Sequence, residues 1–345
     1  MKILLVNNMA PFVWGGAEEL AVNLQKQLIL AGHEAEGLRI PFQWEPAERI
    51  PSQMLMAASL KLWNVDRVIA FKFPAYLIRH PHKTLWLLHQ YRQAYDLLDA
   101  GQSNLPENEV GKAIRDCILH ADNDCFAECR RLYTNSSVTA NRLLKYNGVK
   151  SEVLLPPIND EALFHNDEQG DYIFAGGRVN GIKRQVLLVK ALAKTKYPVK
   201  LLIAGPADTP EDKCKVESLV ETLRLQQRVR MDIRFLPRET YIGYMNHALA
   251  VAYAPFEEDS LGYVTMEGAS ASKALVTTTD SGGILQLVKH NQTGQVAQPT
   301  PESLAEALDT LWEDRAQTKH FGRQAREYWQ SLGINWTNTL EALLQ

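Results

Sequence analysis

Short apolar runs alternate with amphipathic segments along this chain, and this alternation limits the possible folds more than any other feature. Residues 2–7, 67–71 and 84–89 are apolar runs with the length of a buried strand. Between the first two runs, a segment that opens at Gly15-Gly16 repeats leucine at the spacing of one helix face. Strands that alternate with helices in this way predict a parallel sheet with helices on both faces.

The pattern stops at Pro156-Pro157 and then starts again. We therefore predict an α/β fold of two Rossmann-like, doubly wound domains, with residues 1–155 in the first and 156–329 in the second. Ligands of such sheets bind at the carboxyl ends of the strands, so the expected site is a cleft across which the two domains face each other. The strand-like runs of the second half are residues 172–175, 199–204, 248–254 and 274–278.

Charge and hydropathy exclude several classes of function. The 345 residues carry a formal net charge of −3, which gives no reason to expect a nucleic-acid partner. Neither a signal peptide nor a transmembrane run is visible, so we expect a cytoplasmic protein. Basic segments in a nearly neutral N-terminal half leave peripheral contact with the anionic inner membrane surface open.

An acidic segment from Pro255 to Glu267 follows the apolar run 248–254. It holds Glu257, Glu258 and Asp259 just ahead of a glycine and a helix-like stretch at residues 264–274. Carboxylates at a strand end can hold sugar or ribose hydroxyls, and the N–H groups of a helix start can hold a phosphate. The combination suggests a nucleotide-sugar as ligand.

Three further strand-end positions carry groups that suit such a ligand. Gly15-Gly16 allows a close approach of backbone to an anion, although a plain tight turn is the favoured explanation for a lone glycine pair. His89 ends an apolar strand and is predicted to face the cleft, the alternative being a structural histidine. Arg178 and Lys183 suit a leaving diphosphate, the alternative being a solvated basic loop.

Neither a dinucleotide-binding glycine motif nor a P-loop occurs in the sequence. Cys117, His120, Cys125 and Cys129 lie close together, but helical spacing spreads them over about half the helix circumference. We therefore expect no metal site and no cofactor.

Taken in order, these segments resemble the family 4 retaining glycosyltransferases of the GT-B fold, over essentially the whole chain. The family's motifs match here as Gly15-Gly16, Gly32-His33-Glu34, His89, Ser136-Ser137, Pro156-Pro157, Gly177-Arg178 with Lys183, an acid pair eight residues apart at Asp259 and Glu267, and Gly282-Gly283. The family's first acid is usually Glu, whereas this chain has Asp259 with Glu258 directly before it. In the Gly-Gly turn, Gln286 stands where the family commonly has Glu.

The resemblance implies a role for each donor-binding residue. Arg178 and Lys183 would hold the donor diphosphate, and Glu267 would hold the ribose. The N–H groups of Tyr263 and Val264, which follow Gly262, would assist with the diphosphate.

The remaining implied roles concern the sugar and the acceptor. Asp259 would contact the donor sugar, unless Glu258 takes that part through a shifted loop. His89 would contact the sugar or help shape the reacting centre, and Gly15-Gly16 would line the donor and acceptor side. The C-terminal segment, about residues 330–345, would cross back and pack on the N-terminal domain.

The function implied is retaining transfer of a sugar from a UDP- or GDP-linked donor to a hydroxyl acceptor on a glycan, a glycolipid precursor or a small molecule. A metal is not required, because fixed cations replace the ion. Two alternatives stay open, namely a nucleotide-sugar epimerase or hydrolase of the same fold, and a non-catalytic nucleotide-sugar-binding protein. The sequence does not decide the donor, the acceptor or the oligomeric state.

Overall fold

The structure is a computed structural model that describes residues 1–167 and 170–345. It divides into two compact units, residues 1–157 with 335–345 (unit 1) and residues 158–334 (unit 2). The predicted pair of parallel sheets flanked by helices is confirmed, one sheet in each unit. No helix within the described ranges is both long and apolar enough to cross a membrane.

Unit 1 contains a parallel sheet of six strands in the order β2-β1-β3-β4-β5-β6. Its buried strands are β-branched and aromatic runs such as residues 68–71, which have no exposed surface. The strands are β1 (Lys2–Met9), β2 (Glu34–Pro41), β3 (Arg67–Lys72), β4 (Lys83–His89), β5 (Arg131–Thr134) and β6 (Glu152–Val153). The helices are α1 (Gly16–Leu30), α2 (Ile50–Ser59), α3 (Asp96–Asp99), α4 (Glu109–Glu128) and α5 (Ser137–Asn147).

Unit 2, within residues 158–167 and 170–334, contains a second six-stranded parallel sheet, in the order β12-β11-β10-β7-β8-β9. Its strands are β7 (Ile173–Gly176), β8 (Leu201–Ala204), β9 (Val229–Asp232), β10 (Ala250–Ala252), β11 (Ala274–Thr278) and β12 (Gly294–Ala297). Its helices are α6 (Gln185–Leu192), α7 (Pro210–Thr222), α8 (Arg238–His247), α9 (Tyr263–Ser270), α10 (Pro301–Glu313) and α11 (Arg315–Ser331).

The helix α12 (Trp336–Leu344) belongs to unit 1 although it follows unit 2 in the chain. Leu343 has no exposed surface, and its backbone oxygen accepts hydrogen bonds from Arg67 Nη1 at 2.8 Å and Thr84 Oγ1 at 3.4 Å. The backbone oxygen of Ala342 accepts from the Tyr133 hydroxyl at 3.0 Å. The helix therefore completes the core of unit 1 on one face of its sheet.

The two sheets reverse their strand order at different places. In unit 2, the order turns between β7 and β10, as in a dinucleotide-binding fold. In unit 1, it turns between β1 and β3, as in a flavodoxin-like sheet. Loops that leave neighbouring strands in opposite directions open a crevice at such a point, which is where doubly wound sheets bind ligands.

Candidate active site

Three loops meet at the carboxyl edge of the unit 2 sheet, after β7, β10 and β11. Backbone hydrogen bonds join them: Phe256 N–H donates to Ile182 O at 2.8 Å, and Glu257 N–H donates to Asp280 O at 2.9 Å. The segment 255–262 (the acidic loop) is thus held between the other two. It lies at the point where the strand order of unit 2 reverses.

Arg178 follows β7 and is fixed by a carboxylate on the neighbouring loop after β8. Its Nη1 donates to both carboxylate oxygens of Asp208, each at 3.1 Å, and Asn180 Nδ2 donates to the same group at 2.7 Å. The Arg178 side chain remains 38% exposed. It is therefore a positioned cation that an anionic ligand can reach.

Lys183 pairs with the acidic loop through Glu258. Its Nζ donates to Glu258 Oε2, which also accepts the Tyr253 hydroxyl at 3.1 Å, and Nζ lies 5.4 Å from the centre of the Tyr253 ring. Burial works to lower the pKa of Lys183, but Tyr253 and Glu258 outweigh it, so its pKa lies above the ordinary value. Lys183 is therefore a cation at neutral pH. Glu258, one of the two adjacent acids, is engaged with it.

The helix α9 begins at the end of the acidic loop because Gly262 can adopt a conformation that other residues avoid. Its φ is +69°, and an added Cβ would lie 2.7 Å from the Tyr253 ring. The first turn of a helix has N–H groups without intrahelical acceptors, and Tyr263 and Val264 are its first residues. This helix start is a suitable place for a phosphate.

Glu267 lies one turn into α9 and is 2% exposed. Its Oε1 is 2.8 Å from Arg238 Nη1, and the Arg238 guanidinium lies 5.2 Å from the centre of the Phe164 ring. Burial raises the pKa of Glu267, whereas Arg238 and Tyr241 act to lower it. Arg238 is itself 42% exposed, so this acid is linked to the surface through its partner.

Arg238 was not among the predicted site residues. The strand β9 ahead of it was not predicted, so nothing in the sequence marked Arg238 as a strand-end residue. The sequence offered one signal that could have marked Arg238, namely its position as the first residue of the helix α8.

In unit 1, the glycine pair and the histidine lie at the carboxyl ends of β1 and β4. Gly15 is the N-cap of α1, and its N–H donates to Glu18 Oε2 at 3.0 Å. Glu18 Oε1 pairs with Lys72 Nζ at 2.9 Å, at the end of the neighbouring strand β3. The loop that carries Gly15-Gly16 is therefore tied to the point of strand reversal in unit 1.

His89 is the last residue of β4 and is partly buried. Its Nδ1 is 2.8 Å from the backbone oxygen of Gln90, which can only accept a hydrogen bond. Nδ1 therefore carries a proton, and in the neutral ring Nε2 is the basic nitrogen.

The structure groups eight of the predicted residues in unit 2 and three in unit 1. The unit 2 residues are Arg178, Lys183, Glu258, Asp259, Gly262, Tyr263, Val264 and Glu267, and those of unit 1 are Gly15, Gly16 and His89. Across residues 1–167 and 170–345, no three or more His, Cys, Asp or Glu side chains form a group that could hold a metal ion. Cys125 is buried, and its Sγ donates to Tyr76 O at 3.2 Å, whereas Cys117 is exposed.

Sequence comparison with known proteins matches part of the chain. Residues 159–328 match the model of the family described as glycosyl transferases group 1. The chain is 26% identical over 151 residues to the D-rhamnosyltransferase WbpZ of Pseudomonas aeruginosa. That match covers 42% of this chain and 37% of the relative, little more than a third of its length.

Solved structures are similar over both units. Sucrose-phosphate synthase from Thermosynechococcus elongatus has a TM-score of 0.77 at 17% identity, covering 100% of this chain and 97% of that one. The Anabaena protein HepE, in complex with UDP and glucose, has a TM-score of 0.69 at 16% identity, covering 100% and 98%. The predicted GT-B fold is confirmed by this likeness.

Proposed function

Residues 159–328 belong to the glycosyl transferases group 1 family, and from that premise we propose that this protein is a retaining glycosyltransferase that uses a nucleoside diphosphate sugar. The observation that carries the proposal is the position of Arg178 and Lys183. Two fixed cations and a helix start lie together where the strand order of unit 2 reverses. That is the arrangement that a leaving diphosphate requires.

In the proposed reaction, the bond between the sugar C1 and the diphosphate oxygen breaks first. Arg178, Lys183 and the N–H groups at the start of α9 stabilise the charge that develops on the leaving diphosphate. The acceptor hydroxyl oxygen then bonds to C1 on the same face, and its proton goes to the departing phosphate oxygen. Because fixed cations balance the charge, we propose that the reaction needs no metal.

The remaining site residues recognise the donor and position the acceptor. Glu267 accepts hydrogen bonds from the ribose hydroxyls, and Asp259 contacts the donor sugar. We favour Asp259 over Glu258 for that contact because its spacing from Gly262 and Glu267 keeps that of the family's motif. The roles of His89 and of Gly15-Gly16 remain those that the family resemblance implies.

We propose a UDP- or GDP-linked donor and a glycan or glycolipid acceptor, in the biosynthesis of a polysaccharide. HepE is described as bound to UDP and glucose, and WbpZ as a D-rhamnosyltransferase. These descriptions support the class of donor and the class of product. An assay should therefore begin with UDP-glucose and a GDP-linked deoxyhexose.

Arg178→Ala tests the proposal directly. We expect turnover of the accepted nucleotide-sugar to fall about 100-fold or more, because a charge-stabilising donor is lost at the transition state. Arg79→Ala is the matched control, since Arg79 also forms a partly exposed ion pair, with Glu128, but ahead of the amino end of β4. Product anomers are identified by NMR. Near-normal turnover in Arg178→Ala, or a product with inverted configuration, contradicts the mechanism.

We also propose peripheral contact with an anionic membrane surface at the cytoplasmic face. Its support is the exposed apolar side chains of α2 and the residues that follow it, namely Leu55, Met56, Leu60 and Trp63. Co-sedimentation with vesicles of anionic and of neutral lipid measures the contact. Equal recovery in the supernatant with both kinds of vesicle contradicts it.

A further inference from the structure

Arg184 has an unusual backbone conformation beside the candidate site. It is the N-cap of α6 and has a φ of +56°, in the left-handed region that favours glycine. Its neighbour in sequence, Lys183, is one of the two proposed phosphate-binding cations. An arginine in this conformation indicates that its side chain makes interactions that outweigh the backbone strain.

The guanidinium of Arg184 joins the loop after β7 to the loops after β10 and β11. Nε donates to the backbone oxygen of Ala254, and Nη2 donates to the backbone oxygen of Pro255, each at 2.8 Å. Nη1 and Nη2 bind the two carboxylate oxygens of Asp280, both at 2.8 Å. Nη2 also reaches Thr278 Oγ1 at 2.8 Å. All three nitrogens are thus used within the protein, and the side chain is 17% exposed.

Asp280 connects the same guanidinium to the middle of the acidic loop. Its side chain binds Arg184, while its backbone oxygen accepts the N–H of Glu257. Glu257 also has a positive φ, of +41°. Two strained residues on different loops are therefore held by one aspartate, which indicates that the loop conformation depends on it.

We infer that Arg184 and Asp280 (the Arg184–Asp280 bridge) position the acidic loop, so that Glu258 and Asp259 are presented correctly beside Lys183. Arg184 contacts neither donor nor acceptor and acts through the loop. The inference rests on the proposed function for its catalytic consequence, but its structural part applies to the protein without any ligand. It separates the roles of two adjacent basic residues: Lys183 binds the donor, and Arg184 orders the residues around it.

Arg184→Gly is the informative variant, because glycine accepts the positive φ without strain and removes only the side chain. The matched control is Arg224→Gly, since Arg224 has a φ of +55° after α7 and is exposed. Both variants are expected to fold. In the absence of ligand, amide hydrogen exchange in residues 255–262 should rise at least 10-fold in Arg184→Gly and stay unchanged in Arg224→Gly.

The kinetic readout distinguishes positioning from direct contact. We expect kcat of Arg184→Gly to fall about 100-fold, because small displacements of reacting groups have effects of that size, with a smaller change in the KM of the donor. Arg184→Lys should recover part of kcat, and Asp280→Asn should reproduce both the faster exchange and the lower kcat.

The combination of hydrogen exchange and turnover decides whether the inference holds. Unchanged exchange in residues 255–262 of both Arg184→Gly and Asp280→Asn overturns it, whatever happens to turnover. Faster exchange in these variants, in a protein that turns over no nucleotide-sugar at all, supports the positioning role and contradicts the proposed function. Faster exchange with unchanged kcat in an active enzyme overturns the catalytic part of the inference.

Discussion

Asp122 in unit 1 and Glu267 in unit 2 are both carboxylates with almost no exposed surface, at 0% and 2%. Their partners differ in charge. Asp122 accepts hydrogen bonds from the hydroxyls of Tyr76 at 2.9 Å and Tyr95 at 2.7 Å, which are neutral donors. Glu267 pairs with Arg238, which carries a full positive charge.

Burial is the largest influence on the pKa of each acid, and the partner supplies the influence that opposes it. Burial raises the pKa of Asp122 to about 7, and its two tyrosine hydrogen bonds lower it only in part. Burial also raises the pKa of Glu267, but there the charge of Arg238 is the largest opposing influence. The net shift is upward for both acids, but the influence that opposes burial comes from a cation at Glu267 and from neutral hydroxyls at Asp122.

The partners also differ in their access to solvent. Tyr76 and Tyr95 have no exposed surface, whereas Arg238 is 42% exposed. A carboxylate surrounded by buried neutral donors organises a core. A carboxylate whose cationic partner reaches the surface, at the carboxyl edge of a parallel sheet, is placed to meet a ligand. Burial alone would not have distinguished the two.

The largest effect that tests this difference is the pH dependence of stability in Asp122→Asn. Because the pKa of Asp122 in the folded state lies above its ordinary value of 3.8, its contribution to stability is fully present below about pH 4. It is lost as the pH rises through about 7. A shift of about three pH units corresponds to about 4 kcal/mol.

We expect Asp122→Asn to remove this pH dependence, so that its free energy of unfolding rises relative to wild type between pH 4 and 8. Urea titrations at several pH values measure it. The control is Asp116→Asn, an exposed position on the same helix, α4. The same pH dependence in wild type and Asp122→Asn would show that the buried acid stays ionised.

Glu267→Gln should have the next largest effect, on activity. In the proposed role, Glu267 accepts the ribose hydroxyls, and its replacement with a neutral amide removes a charge-assisted hydrogen bond, worth about 1.5–3 kcal/mol. We therefore expect kcat/KM for the donor to fall about 100-fold. Glu239→Gln, on the exposed side of the first turn of α8, should leave it unchanged. A loss of less than twofold in Glu267→Gln argues against a ribose contact.

Arg238→Ala should have the smallest effect, on stability. Removing one partner of a fully buried pair costs about 3–5 kcal/mol, but the exposure of Arg238 lets water replace much of its interaction, so we expect about 1 kcal/mol. Arg234→Ala is the control, since Arg234 is 62% exposed in its pair with Asp232. Chemical denaturation measures both variants. Equal stabilities would mean that Arg238 contributes no more than an ordinary surface pair.

Much of the fold could be predicted where strands are buried and helices are strongly periodic. The apolar runs of β3 and β4 were visible, and the leucine spacing after Gly15-Gly16 predicted α1. The strands β2, β6, β9 and β12 were missed. They lie at sheet edges and carry polar residues, so the sequence lacks the continuous apolar run that marks a central strand.

Only part of the site could be predicted, again because local sequence marks some strands and motifs but not others. Lys183, Gly262 and Glu267 stand directly after visible strands or inside a recognisable motif. The partners that set their surroundings are distant in sequence, since Asp280 follows Arg184 by 96 residues. Arg238 follows a strand that was not predicted. Pairings of this kind depend on the order of strands in the sheet, which local sequence does not encode.

The helix α12 has a consequence for biosynthesis. Residues 1–157 leave the ribosome before unit 2, but the Arg67 and Thr84 side chains donate to the backbone oxygen of Leu343 in α12. At roughly 5–20 residues per second, the first unit therefore waits roughly 10–40 s for its final helix. During that interval, the apolar surface that α12 covers is open to chaperones. A premature stop codon after residue 334 would thus damage the domain that was translated first.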